Sequence, residues 1–294
     1  MENVITVKNM RESDAFTINT TTSSRELMYR AAMGVFKSVS WGGKIAIVCG
    51  SGNNGGDGYA LAEILSERGY HPIIMLASDK RSEDGEYYYT RCLRNGVRSE
   101  NCDGSTDFNG FDIVVDCLLG TGFSGQLREP MLSVIKAINR SSAYIVSVDI
   151  NSGLSGANGL AQPVAVRSDL TVSIGYYKTG MFLGHSCQYI GRLINADIGI
   201  KLLKKQYYLI SGDELSPFTG YSSVQLTAQQ FALEYATDEA EFWRSPLKII
   251  SQESCSSKKI FVVDFGGSRL VVDQTYVYFQ SDRASAVSEE YTKF

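Results

Sequence analysis

The sequence predicts an α/β fold in which a mostly parallel sheet is covered by helices on both faces, with a small C-terminal extension after it. Three observations carry this. From residue 42 to 200, short apolar runs rich in β-branched residues alternate with helical segments, the pattern of parallel strands buried on both faces. Several of those runs end in loops of glycine and small polar residues. Only four of the 28 glycines lie after residue 200, so the composition shifts there and divides the chain into segments 1–200 and 201–294.

Residues 1–40 read as two helices. Ser23-Ser24-Arg25-Glu26 has the form of a capping box, with the serine accepting an N–H of the first turn and the glutamate reaching back. Leu27, Met28, Ala31, Ala32, Val35 and Phe36 then recur on one helical face. Residues 44–49 (KIAIVC) form the first predicted strand, and a glycine loop leads to a helix over 59–68 closed by Gly69. A strand over 71–77, a helix over 83–94 stopped at Asn95-Gly96, and a strand over 111–119 follow. A helix over 129–138 and strands over 144–150, 170–174 and 192–198 complete the pattern. In the extension, a helix is expected over 227–236 and strands over 247–251, 260–264, 270–272 and 276–279, around a turn at Gly266-Gly267.

With 28 Lys+Arg against 32 Asp+Glu, the chain has no global attraction for nucleic acid or for an anionic membrane. No apolar run reaches the ~18 residues of a membrane span, and the first residues lack a signal sequence. A cytoplasmic protein is expected. Six cysteines without C-x-x-C pairs fit a reducing compartment and give no zinc motif. Two histidines, His71 and His185, are too few for a multi-histidine metal centre and argue against a Ser/His/Asp triad.

Three strands end in loops that carry chemistry: Gly50 to Gly58 (GSGNNGGDG), Asp116 to Gly125 (DCLLGTGFSG) and Asp149 to Gly153 (DINSG). Ligands of open parallel sheets bind beyond the carboxyl ends of the strands, so these loops are expected to converge. Glycines in the first let backbone N–H groups approach an anion at a helix N-terminus. A ligand-free turn accounts for one or two glycines but not for five with two carboxamides. The spacing Gly50-x-Gly52-x-x-Gly55, with Asp79 following 24 residues later, also satisfies a dinucleotide fingerprint. Gly120, Thr121, Gly122, Ser124 and Gly125 offer donors for a second phosphate. Asp116 and Asp149, at the ends of buried strands, need a cation, a hydroxyl donor or a raised pKa to offset desolvation. Capping of loop amides is the plainer alternative for both.

Together these residues resemble the NAD(P)H-hydrate epimerase family, the YjeF N-terminal domain. The likeness rests on Met10-Arg11-x-x-Asp14, Glu26-Leu27-Met28, GNNGGDG, VDCLLGTGFSG followed by REP, SVDINSG, VRSDLTVSIG, Lys178 with Gly180, and ADIGI. It implies a Rossmann-like three-layer sandwich, usually a homodimer, that interconverts the R and S forms of hydrated NADH and NADPH so that a separate dehydratase can repair the S form. It implies that Asn53, Asn54, Gly55, Gly56 and Asp57, with Gly120, Thr121, Gly122, Phe123, Ser124, Gly125 and Gln126, line the dinucleotide. It also implies a potassium ion on Asn54, Asp116 and Ser152, and a catalytic Asp149 against the hydrated nicotinamide. Lys178 is expected to stabilise a carboxylate or phosphate nearby, or to be a surface lysine. The family has proline where this chain has Asn151, and glycine where it has Ala32; the first change bears on the rigidity of the loop beside Ser152. Two other readings stay open: an NAD-dependent dehydrogenase, from the glycine fingerprint, and a non-catalytic nucleotide-binding or dimerisation module.

Overall fold

Seven strands pair in parallel to build the central sheet of this computed structural model, which describes residues 2–183, 185–205, 207–210, 247–255, 258–265 and 268–273. In chain order the elements of its first part are β1 (Glu2–Ile5), α1 (Val7–Thr20), α2 (Ser24–Ser38), β2 (Ile45–Cys49), α3 (Asn53–Glu67), β3 (Ile73–Leu76), α4 (Glu83–Arg94) and β4 (Arg98–Asn101). Then come β5 (Ile113–Cys117), α5 (Met131–Arg140), β6 (Tyr144–Val148), β7 (Ser168–Ile174), the two-residue β8 (Tyr177–Lys178) and β9 (Ile190–Ala196). The sheet order is β4-β3-β2-β5-β6-β7-β9, every pair parallel. Strand order reverses between β2 and β5, the switch point where open sheets leave a crevice at their carboxyl edge.

Strands β2 and β5 are buried at every position, as their apolar runs require. Side chains alternate between the two faces. Ala46, Val48, Val114 and Ile145 pack with Val134, Ile135 and Ile138 of α5, whereas Cys49 and Cys117 face Gly58 of α3. Helices α2, α3 and α4 pack against one another on that second face, which gives the three layers.

Most elements fall where the sequence placed them, and the differences have physical causes. Helix α3 starts at Asn53, not near residue 59, so most of the glycine loop is helical. Glycines disfavour a helix on their own, but Gly58 lets α3 lie against β2 and β5: a Cβ there would stand 2.7 Å from the Cys49 sulfur and 2.9 Å from Cys117 Cβ. Tertiary packing overrides propensity at this point. The Ser23 hydroxyl accepts from Glu26 N–H at 3.2 Å as expected, but Glu26 turns to Arg30 at 2.9 Å, so only half of the capping box forms. Pro130 caps α5 from outside its first turn. Strand β4 was not anticipated because its residues are polar and largely exposed at the sheet edge. His71 and His185 are exposed.

A second compact unit comprises residues 1–5 together with 204–294, while Thr6–Leu203 forms the unit of the parallel sheet. Within the second unit β1 pairs antiparallel with β10 (Tyr207–Ile210), and β10 runs parallel to β13 (Ser268–Asp273). Strands β11 (Leu247–Cys255), β12 (Lys258–Phe265) and β13 form a meander, with a bulge between Ile249 and Ser251. The helix expected at 227–236, the strand at 276–279 and the turn Gly266-Gly267 lie outside the described residues.

Candidate active site

A cleft of about 520 Å³ opens at the carboxyl edge of the parallel sheet. Its polar wall is built by the N-terminus of α3 (Asn53, Asn54, Asp57), the loop after β5 (Gly120 to Phe123), Asp149 after β6, and Asp14 with Arg11 from α1. Met10, Leu27, Met28, Ile174 and Ile198 supply an apolar side. A second pocket of about 510 Å³ adjoins it through Arg11, Thr121 and Phe123, and is lined by Ser124, Gly125 and Ser155 among others. The three loops therefore converge as the sequence predicts. Gly55, Gly56 and Gln126 are absent from the lining of both pockets.

Much of the glycine loop serves packing. A Cβ on Gly55 would lie within 2.1 Å of the Gly50 carbonyl oxygen, so that glycine closes the strand-to-helix turn. Gly52, by contrast, has open space around it and caps α3 without a side-chain hydrogen bond. No acidic residue stands in the first turn of this helix. Asn53 and Asn54, which line the cleft, are in its first turn, where helical N–H groups lack intrahelical partners and favour an anion.

Asp149 is the centre of the site. It is the one non-glycine residue with positive φ (66°) among the described residues, a strained backbone of the kind that persists where surrounding structure holds it. Oδ2 accepts the Thr121 N–H at 2.9 Å, and Oδ1 accepts Lys178 Nζ at 2.5 Å. Gly120 is necessary here, because a Cβ would stand 2.9 Å from Asp149 Oδ2 and 3.3 Å from Asn54 Cβ. The surface alternative for Lys178 is excluded: it is 0% exposed, and its ammonium also donates to the Ile174 carbonyl at 2.8 Å and the Ser173 hydroxyl at 3.3 Å. All three N–H donors are used.

The electrostatics follow from this pairing. Burial alone would raise the Asp149 carboxyl, but the charge and hydrogen bond of Lys178, with the Thr121 N–H, outweigh it and hold the group below the usual carboxylate range. Asp57 goes the other way. Burial and then the Asp149 and Asp14 charges push it well above that range, with Lys178 only partly opposing. Asp14 is raised for the same reasons, burial first. One ionised carboxylate thus sits beside two carboxyls that keep their protons further up the pH scale.

Behind the cleft, Asp116 is fully buried. Its carboxylate accepts the Ser147 hydroxyl at 2.9 Å, the Ser152 hydroxyl at 2.5 Å, and the N–H groups of Ser152 and Leu118 at 2.9 and 3.2 Å. Hydroxyl and amide donors offset part of the desolvation, and burial still raises its pKa. The Ser152 hydroxyl also accepts the Leu119 N–H at 2.8 Å, which ties the β5 loop to the β6 loop. Asn54 is 6% exposed, and neither its Oδ1 nor its Nδ2 has a partner. A buried amide left unpaired on both sides marks a place where something else binds.

Asn151, where the resembling family has proline, is fully buried and stiffens its loop through hydrogen bonds. Its Nδ2 lies 2.9 Å from the Val166 carbonyl, the Ser168 hydroxyl and the Tyr189 carbonyl, and its Oδ1 accepts from Thr171 at 2.6 Å. Asn151→Ala leaves these groups buried and unpaired, and is expected to destabilise the protein by roughly 3 kcal/mol. Urea unfolding monitored by circular dichroism checks this.

Arg11 and Asp14 are site residues that chain-wide chemistry did not single out. Arg11 donates to the carbonyls of Thr121 and Gly122 at 3.3 Å and braces that loop. Their signal was the spacing Met10-Arg11-x-x-Asp14, which puts residues 10 and 14 on one helical face. Asp79 is exposed and lies outside the cleft lining.

Comparison with known proteins gives a consistent picture. Residues 24–180 match the family model described as YjeF-related protein N-terminus. The chain is 32% identical over 201 residues to a Limosilactobacillus fermentum protein named NAD(P)H-hydrate epimerase, covering 67% of this chain and 97% of that one. It is 31% identical over 199 residues to the bifunctional NAD(P)H-hydrate repair enzyme Nnr of Coxiella burnetii, of which the matched part is 41%. The crystal structure of yeast ynu0 shares the fold, with a TM-score of 0.54, 21% identity and coverage of 65% of this chain and 86% of that one.

Proposed function

The chain belongs to the YjeF-related protein N-terminus family, and on that premise we propose that it is an isomerase interconverting the R and S epimers of hydrated NADH and NADPH. The observation that carries this is the strained Asp149, ionised by a buried lysine and presented to a cleft whose other wall is an uncapped helix N-terminus. The backbone of Asn53 to Asp57 would take a phosphate, the loop from Gly120 to Gln126 would follow the rest of the dinucleotide, and Asp149 would meet the hydrated ring. There it assists loss and return of the C6 hydroxyl, or the equivalent opening of the hemiaminal, while the ring nitrogen supplies electrons. A dehydrogenase is disfavoured because two of the three fingerprint glycines, Gly50 and Gly55, are engaged in packing within this chain, against the Leu118 and Gly50 carbonyls.

The residues present fit a monovalent cation. The unpaired Asn54 oxygen, the Asp116 carboxylate and the Ser152 hydroxyl form an all-oxygen set with a single carboxylate, suited to a hard ion of low charge. These residues would hold potassium, which supplies fixed positive charge beside the loops. A cytoplasmic homodimer, with its product passed to a separate dehydratase, completes this reading; no helix among the described residues is long and apolar enough to cross a membrane.

The test supplies the R-enriched hydrate of NADH or NADPH, with potassium present or replaced by a bulky organic cation, and follows the approach to the R/S equilibrium by chromatography. Potassium-dependent acceleration of at least about tenfold over buffer is expected. Binding of the dinucleotide without acceleration would favour the non-catalytic module.

A further inference from the structure

Epimerising one carbon by loss and return of a hydroxyl poses a geometric problem that Asp149 alone does not solve. The oxygen must leave from one face of the ring and return to the other. A carboxyl fixed by Lys178 and the Thr121 N–H reaches only one face of a ring held in the cleft. The remaining walls therefore have to supply a second proton-transfer group. Two are present: Asp14 on α1 and Asp57 on α3, both lining the cleft.

We propose that Asp57 is a second catalytic residue, serving the face of the ring opposite Asp149. Asp57 lines the cleft from α3, whereas Asp149 enters it from the loop after β6, and Asp57 lies between Gly56 and Gly58, so no neighbouring side chain screens it along the chain. It shares one face of α3 with Asn53, one turn in from the helix N-terminus that would take a phosphate. Among the described residues it makes no hydrogen bond, which leaves the carboxyl to a ligand. Burial and the Asp149 and Asp14 charges raise its carboxyl well above the usual range while Lys178 holds Asp149 below it, the separation that acid and base roles in one site require. This inference rests on the epimerase reading.

The step balances as follows. Asp57 gives its proton to the C6 hydroxyl, and the C6–O bond breaks with its electron pair leaving on oxygen as water. The ring-nitrogen lone pair moves into a C6=N bond and forms an iminium. On the other face a solvent water attacks C6, Asp149 takes its proton, and the C=N electrons return to nitrogen. Asp57 ends ionised and Asp149 protonated; turnover in the reverse direction, or proton exchange with solvent, resets them.

One epimer of hydrated NADPH in ¹⁸O-water separates the possibilities, using the full chain with potassium. The wild type is expected to invert C6 with one solvent oxygen incorporated per inversion. Asp57→Asn should slow inversion by about 100-fold or more, with NADP⁺ affinity and the circular dichroism spectrum unchanged. Asp149→Asn should lose inversion yet still exchange oxygen with retention, faster than buffer, in the epimer whose hydroxyl faces Asp57. A merely structural Asp57 would not produce that decoupling. Asp14→Asn should slow inversion less than Asp57→Asn does, whereas Asp79→Asn, an exposed carboxylate outside the cleft lining, should invert at the wild-type rate. Full-rate inversion by Asp57→Asn, transfer of its loss to Asp14→Asn, or wild-type inversion without solvent oxygen would each overturn the proposal. A wild type that binds NADP⁺ but inverts nothing would instead defeat the epimerase reading itself.

Discussion

Asp149→Asn slows interconversion of the epimers by roughly 10³-fold, within the range that proton transfer by a positioned side chain supplies, while dinucleotide affinity stays nearly unchanged. The amide keeps the volume of the carboxyl and still accepts the Thr121 N–H, so the β5 loop and the cleft retain their shape. What it loses is the negative charge that Lys178 stabilises and the lone pair that takes a proton. Asparagine also tolerates positive φ better than most residues, so the 66° backbone does not unfold the turn. Single-turnover rates on a purified epimer, with NADP⁺ binding measured calorimetrically, distinguish the two effects. A variant that keeps full activity eliminates the role assigned to Asp149, and one that loses binding shows that the carboxylate holds the ligand and does not act on it.

The sheet and the convergence of its loops were legible in the sequence because both rest on strong signals. Runs such as IAIVC and IVVDC are buried along their whole length, and buried parallel strands leave no polar alternation to confuse them with surface. The glycine loop was legible in position but not in kind. Gly55 and Gly58 answer to the Gly50 carbonyl and to the two cysteines on neighbouring strands, contacts that exist only once the chain has folded. Part of the signal taken for ligand binding is therefore the signature of a helix pressed onto a sheet. Asp14 was legible as part of the Met10-Arg11-x-x-Asp14 motif but not as a site residue, because α1 is mainly polar, with four buried residues over its fourteen, so its pattern gives little reason to aim one carboxyl at a distant loop. Asn151 shows the same limit from the other side: its rigidity comes from partners at 166, 168, 171 and 189, which no local comparison with proline reveals.

Replacing Lys178 tests the charge arrangement on which the whole cleft depends. In Lys178→Met the apolar stem fits the buried site, but Asp149 keeps only Thr121, through its N–H and its side chain, as a described partner, and the Ser173 hydroxyl and Ile174 carbonyl lose their donor. Breaking a buried pair by removing one partner costs about 3 kcal/mol or more, and the 16% exposure of the Asp149 side chain lets neutralisation relieve part of it. The sign of the pH effect is fixed by the direction of the shift. In the wild type the folded Asp149 titrates below its ordinary 3.8, so its contribution to stability is present above that value and is lost as pH falls through the depressed folded one. Without Lys178, burial dominates and carries the carboxyl above the ordinary value. The variant therefore loses stability as pH rises through this elevated value, where the wild type gains none. The acidic limb of kcat/KM should move to higher pH by a unit or more, one unit corresponding to about 1.4 kcal/mol between protonation states. Thermal melts and kcat/KM measured from about pH 4 to about pH 9, above the ordinary carboxylate range at its upper end, give both curves. A limb that stays in place while the melting temperature falls at every pH would make Lys178 a packing residue and leave the ionisation of Asp149 to other groups.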